Sequence, residues 1–198
     1  DAYFGLDYEK DIEPQSLFAY LADMNENVLA VKIDGPTKED FVWGFRCGFL
    51  TFGCKGMSDA QYDALVKKLM GLIRSSVSCS STPPQSLLLR AFADPALESE
   101  KASFRAVLES RYKAVRKFVD SHKSAALEAL PFNSGYFMSF HLNGVNAEEL
   151  RQTLLNEKGI GTIAIDQSTL RVAFSSLDED KIEMVYSSIY ECAEELNR

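Results

Sequence analysis

The sequence of 198 residues is short of positive charge: 21 lysines and arginines stand against 29 aspartates and glutamates, a formal net charge of -8. Nucleic-acid backbones and anionic membrane surfaces both demand a cationic face, so neither is expected as a partner. Single basic sites for one small anion remain compatible with that balance. Long apolar runs are missing too. None approaches the roughly 18 to 20 residues that cross a bilayer, and residues 1–7 carry neither the basic start nor the apolar stretch of a secretion signal. A soluble, cytoplasmic protein is expected. Cys47, Cys54, Cys79 and Cys192 form no C-x-x-C pair, and His122 and His141 are the only histidines. Free thiols and no metal site are the expectation. There is no internal repeat, low-complexity tract or heptad series. What is present is a composition of 46% hydrophobic and 25% charged residues, suited to a buried core.

Residues 27–34 are rich in β-branched side chains and stop at Gly35-Pro36, the pattern of a buried strand followed by a turn. A second strand is expected over 45–53, and residues 1–53 together offer about three strands. Ser58 and Gln61 form a capping box for a helix running to Arg74, with Leu65, Leu69 and Leu72 at helical spacing. Residues 75–82, ending at Pro83-Pro84, read as a loop before an apolar segment over 87–92. Residues 98–130 lack Gly and Pro and carry a helical stripe through Phe104, Leu108, Tyr112, Val115 and Phe118, so one long helix is expected. Beyond Pro131 the period becomes two: Tyr136, Met138, Phe140 and Leu142 share one strand face and Phe137, Ser139 and His141 the other. Asn146 opens a helix with Leu150, Leu154 and Leu155 inward, ending near Gly159. A strand over 169–174 and a last helix, introduced by residues 176–179 and burying Ile182, Val185, Tyr186, Ile189 and Ala193, complete the chain. The layout is α/β in two units dividing near residue 100: a first part of an α/β sheet over 1–100, and a small α+β domain over 101–198.

Residues 34–49 carry the richest chemistry. Lys38 follows a strand and a Gly-Pro turn, where open α/β sheets bind ligands. Arg46, eight positions on and flanked by Gly44 and Gly48, is placed where a guanidinium can grip an anion bidentately. A reactive amine beside a phosphate clamp is what a pyridoxal phosphate Schiff base needs. Taken alone, the same residues also read as a surface lysine and a structural arginine, and Trp43, Phe45 and Phe49 read as core.

The hydroxyl residue and lysine of Thr37-Lys38, followed by Gly44-Phe45-Arg46-Cys47-Gly48, resemble the cofactor-lysine motif of the class I/II aminotransferases, pyridoxal phosphate enzymes of fold type I. Asp1-Ala2-Tyr3-Phe4-Gly5 resembles the family's D-A-Y strand end. Residues 169–175 resemble its carboxylate-arginine strand. The resemblance spans the chain and implies a fold: the C-terminal part of the large cofactor domain over 1–100, then the small C-terminal domain over 101–198. It also implies roles. Lys38 would form the Schiff base with pyridoxal 5'-phosphate and move the proton at the substrate Cα, Thr37 would contact the cofactor, and Arg46 would bind its phosphate. Asp1 would pair with the pyridine nitrogen and Tyr3 with the phenolic oxygen. Arg171 would hold the α-carboxylate of an amino acid; otherwise it is a strand arginine paired to a local acid.

Two departures stand out. Pro36 occupies a position where the family often has serine, and the stretch before Arg171 is shorter than usual. Residues 78–83 resemble a segment that reaches toward a neighbouring subunit, though a plain serine-rich loop fits as well. The family's phosphate-cradling amides and ring-stacking aromatic precede the Asp-Ala-Tyr strand. The chain is therefore expected to be the C-terminal half of a homodimeric aminotransferase, inactive when isolated, whose whole transfers an amino group between an amino acid and a 2-oxo acid. The alternatives are a β-lyase, decarboxylase or cyclopropane-forming synthase on the same scaffold, a noncatalytic effector domain of a transcriptional regulator, and a truncated dimerisation module.

Overall fold

The computed structural model describes residues 2–10, 12–13 and 15–198. Its chain divides into two compact units, Asp1–Lys101 and Ala102–Arg198.

In the first unit, a short helix α1 (Leu17–Ala22) precedes strand β1 (Ala30–Asp34), a one-turn helix α2 (Pro36–Glu39) and strand β2 (Phe49–Gly53). The two strands form an antiparallel hairpin with Ala30 opposite Gly53 and Asp34 opposite Phe49. Helices α3 (Asp59–Ser76) and α4 (Thr82–Phe92) follow. The Ser58 capping box forms: the Gln61 side chain accepts from the Ser58 amide at 2.9 Å and so stops a backbone donor from going unpaired. Several expectations need correction here. Among the described residues of 1–53 there are two strands and one isolated bridge at Asp7. The second strand begins at Phe49 because a 3-10 turn over Trp43–Phe45 and a left-handed Arg46 occupy the preceding residues. Pro83 and Pro84 are not in a loop; they lie in the first turn of α4, where the missing amide costs no helical hydrogen bond. Trp43 and Phe49 are 66% and 46% exposed, so neither is core.

Helix α5 (Leu97–Ser121) begins in the first unit and continues in the second. It stops short of the expected residue 130. Ser121 Oγ donates to the Lys117 carbonyl at 2.8 Å, and a ring nitrogen of His122 lies 2.8 Å from the Phe118 carbonyl, so side chains satisfy the last turn. Residues 127–129 then join a sheet in spite of their helix-favouring composition. Pairing and the burial of Leu127 override propensity.

That sheet is antiparallel throughout, in the order β3 (Leu127–Ala129), β4 (Met138–Leu142), β6 (Thr169–Val172), β5 (Ile163–Ala164). Its alternation puts Met138, Phe140, Leu142, Leu170 and Val172 on the buried face. Helices α6 (Ala147–Lys158) and α7 (Glu179–Leu196) bring further core residues. Asn146 caps α6 by accepting from the amides of Glu148 and Glu149, and a left-handed Gly159 ends it. Leu155 points outward at 44% exposure, unlike Leu150 and Leu154. Asp178, within the expected cap region, is the N-cap of α7, and all five residues predicted for its apolar face are buried. Phe118, Phe140, Tyr186 and Tyr190 form an aromatic cluster, with Phe140 and Tyr190 edge to face at 5.7 Å. All four cysteines are free thiols.

Candidate active site

In the first unit, residues 35–48 connect β1 to β2. The ends of this connection approach closely: a Cβ on Gly35 would meet the Cys47 carbonyl oxygen at a tight 3.0 Å, and one on Gly48 the Asp34 oxygen at 3.4 Å, near ordinary contact. Thr37 and Lys38, both half-buried, lie in α2, whose first residue Pro36 is preset for a helix start. The chain then turns sharply. Phe41 and Arg46 adopt left-handed φ values of 56° and 50°. Neither is glycine, and a bulky residue there costs on the order of 1–3 kcal/mol that the surroundings must offset. Such strain is characteristic of sites where side-chain direction matters more than backbone comfort.

Arg46 is exposed and makes one hydrogen bond among the described residues, from a guanidinium nitrogen to the Trp43 carbonyl at 3.1 Å. Its other donors are available for an anion. Tyr3, half-buried, belongs to the turn at residues 2–5, in which its carbonyl accepts from the Leu6 amide at 3.0 Å. Phe4 of that turn has its ring 5.7 Å from Lys32 Nζ, which fixes the turn against β1, the strand that leads to Lys38. Asp1 lies outside the described residues.

Carboxylates crowd the base of the loop. Burial, and then the neighbouring Asp40 carboxylate, push the Glu39 carboxyl above its ordinary value. Asp40 is answered by Lys101, whose Nζ lies 2.9 Å from Asp40 Oδ1. Burial pulls the Lys101 amine down, but the hydrogen bond and charge of Asp40 outweigh it and the net shift is upward. Sequence reasoning missed this pair, since nothing in the chain pattern joins an acid after the lysine to a helix start so far downstream.

In the second unit, Arg171 is on β6 between Ser139 of β4 and Ile163 of β5, on the sheet face opposite the core. Its guanidinium carbon lies 4.7 Å from the Phe137 ring centroid. Its Nε is buried with no hydrogen-bond partner. No ion pair to Arg171 occurs among the described residues. A buried, unpaired guanidinium nitrogen is costly. An open cleft of about 590 Å³ in this unit is lined by Arg116, His122, Lys123 and Glu128 but by none of the sequence-predicted site residues.

The structure thus brings Thr37, Lys38 and Arg46 onto one strained connection, sets the Tyr3 turn on the adjoining strand, and leaves Arg171 with an unmet donor. In the first unit, an amine and a guanidinium on one connection suit a phosphorylated aldehyde cofactor. The comparisons agree in class. The family described as aminotransferase class I and II matches residues 15–189, and the chain belongs to that family. Among solved structures it is similar to the α-aminoadipate aminotransferase LysN of Thermus thermophilus, with 17% identity and a TM-score of 0.79 over 99% of this chain and 49% of that one. It is similar also to the kynurenine aminotransferase of Pyrococcus horikoshii, with 20% identity and a TM-score of 0.77 over 98% and 46%, and to a multiple substrate aminotransferase of Thermococcus profundus, with 17% identity and a TM-score of 0.77 over 98% and 47%. The chain spans about half the length of these proteins. No curated protein matches it by sequence. No helix among the described residues is long and apolar enough to cross a membrane.

Proposed function

We propose that this chain supplies the lysine-bearing part of a pyridoxal phosphate-dependent aminotransferase that moves an amino group between an amino acid and a 2-oxo acid. The observation that carries the reading is the 35–48 connection, which holds Lys38 and Arg46 on one closed, strained loop. The P. horikoshii enzyme was solved with PMP, and LysN with a phosphopyridoxyl-leucine adduct, which supports the same cofactor class here.

Pyridoxal phosphate, when bound, supplies an electron sink for the pair left at the substrate Cα. Lys38 Nζ would hold the cofactor through its aldehyde and would take up and return the proton at the substrate Cα. Arg46 anchors the phosphate through paired N–H donors, and the Thr37 hydroxyl lies in the same turn to donate a further hydrogen bond. Tyr3 hydrogen-bonds the phenolic oxygen, and Asp1 is assigned to the pyridine nitrogen. Arg171 would take the substrate α-carboxylate through its guanidinium. Residues 1–100 are assigned to the cofactor domain and 101–198 to the small domain.

The test is covalent capture. The protein is incubated with pyridoxal 5'-phosphate, reduced with borohydride and mapped by peptide mass. A single adduct on Lys38, lost in Lys38→Ala, is expected. Arg46→Ala should weaken capture by about 10- to 100-fold, the loss of charge-assisted hydrogen bonds to phosphate. Adducts spread over surface lysines, unchanged in Lys38→Ala, would refute the assignment.

A further inference from the structure

The turn that carries Lys38 is not held by its own hydrogen bonds alone. After α2, the Asp40 amide donates to the Pro36 carbonyl at 3.0 Å, but the Phe41 and Val42 amides reach the Lys38 and Pro36 carbonyls only at 3.4 and 3.5 Å. Phe41 then takes a left-handed φ of 56°, a conformation that a phenylalanine leaves unless it is held. Asp40, between the lysine helix and that strained residue, is the natural anchor. Its side chain is only 10% exposed and that of Lys101 only 23%, with 2.9 Å between Oδ1 and Nζ. By contrast the Lys55–Asp23 pair of the same unit is 3.3 Å long, with side chains 55% and 84% exposed. Exposed pairs of that kind hold little, whereas a desolvated pair resists separation because either partner alone would be an uncompensated buried charge.

We infer that Asp40 and Lys101 are positioning residues for Lys38: their half-buried ion pair ties the end of the lysine turn to the opening turns of α5 and fixes where the reactive amine is presented. The inference rests on the reading of Lys38 as the cofactor amine. Neither residue touches cofactor or substrate. They act by holding α2 against the strain at Phe41. The upward shifts at Glu39 and Lys101 agree, since both place Asp40 in a crowded site that the Lys101 charge balances.

The experiment separates presentation of the amine from binding of the phosphate. Capture of pyridoxal 5'-phosphate at Lys38, by borohydride reduction and peptide mass, is compared with the affinity for pyridoxamine 5'-phosphate, which carries the same phosphate and ring but no aldehyde for the lysine. Asp40→Asn and Lys101→Met should slow capture about 10-fold or more, the cost of misplacing a reacting group, with pyridoxamine phosphate affinity unchanged. Lys101→Arg should restore capture, and Lys55→Met should not alter it. Should Asp40→Asn fail to fold, Asp40→Glu moves the charge outward by one methylene, and slowed capture is again expected. Capture at the wild-type rate in Asp40→Asn, Asp40→Glu or Lys101→Met overturns the inference, as does a parallel loss of both ligands. If the unaltered protein forms no adduct at Lys38, the reading of Lys38 itself falls and takes the inference with it.

Discussion

The two units bury their side chains very differently. In the second, α5, α6 and α7 contribute to a core with the inner face of the four-stranded sheet, and Phe140, Phe174, Leu150, Leu154, Leu170, Tyr186 and Ile189 are fully buried. In the first, the buried apolar side chains described are Leu6, Ala30, Pro36 and Leu88. Helix α3 buries none of its 18 residues, and Ile33 of β1, Met70 of α3 and Leu89 of α4 are 69%, 64% and 71% exposed. Apolar surface of this extent is favourable to cover. Lys38, proposed as the cofactor lysine, lies in the less closed of the two. Its precision therefore has to come from local devices: paired glycines, left-handed residues and a half-buried ion pair, not from a deep core.

The largest effect should come from cutting the closed core. Phe140, 0% exposed, touches the Tyr186 and Tyr190 rings, and Phe140→Ala should cost about 3–5 kcal/mol in denaturant unfolding of the second unit. Ile33→Ala, at a side chain 69% exposed, should stay within about 0.5 kcal/mol. A cost at Ile33 comparable with that at Phe140 would break the contrast and show that the hairpin face is covered in solution.

An intermediate effect is expected where the first unit does pack tightly. At Gly53, the last residue of β2, an added Cβ would come within 2.6 Å of Ala22 Cβ and 3.0 Å of Phe18 Cζ. Gly53→Ala should push α1 off the hairpin and cost about 1–3 kcal/mol, as overpacking does. Unfolding that is unchanged in Gly53→Ala would mean that α1 contributes nothing to the unit, leaving its stability to the hairpin and the later helices.

The same contrast decided what could be read from sequence. The apolar stripe of α7 and the alternation in β4 were legible because a covered face imposes a period, and both faces are buried as expected. The stop of α5 at Ser121 was not, because residues 126–130 favour a helix and only their pairing with β4 makes them a strand. In the first unit the lysine and the G-x-R-x-G spacing carried the family resemblance, and the family match over residues 15–189 bears that out. The left-handed Phe41, the Asp40–Lys101 pair and the Phe137 ring beside Arg171 were not legible, since each depends on residues brought together by folding.

The smallest effect sharpens the comparison from inside the closed core. Tyr186 is fully buried among Phe118 and Phe140, and its hydroxyl has no hydrogen-bond partner among the described residues. Burial, with the nearby Tyr190 adding to it, pushes the phenol far above its ordinary value, so it stays neutral. A buried hydroxyl left unpaired forfeits its hydrogen bonds to water and gains none in return. Tyr186→Phe removes that group and keeps the ring, so the second unit should be unchanged or more stable by up to about 1 kcal/mol. The measurement is the denaturant midpoint at constant slope. A loss of 1 kcal/mol or more, on the scale of a broken buried hydrogen bond, would show that the hydroxyl is satisfied in solution. The core of the second unit would then be wetter than its packing indicates, and the contrast between the units correspondingly smaller.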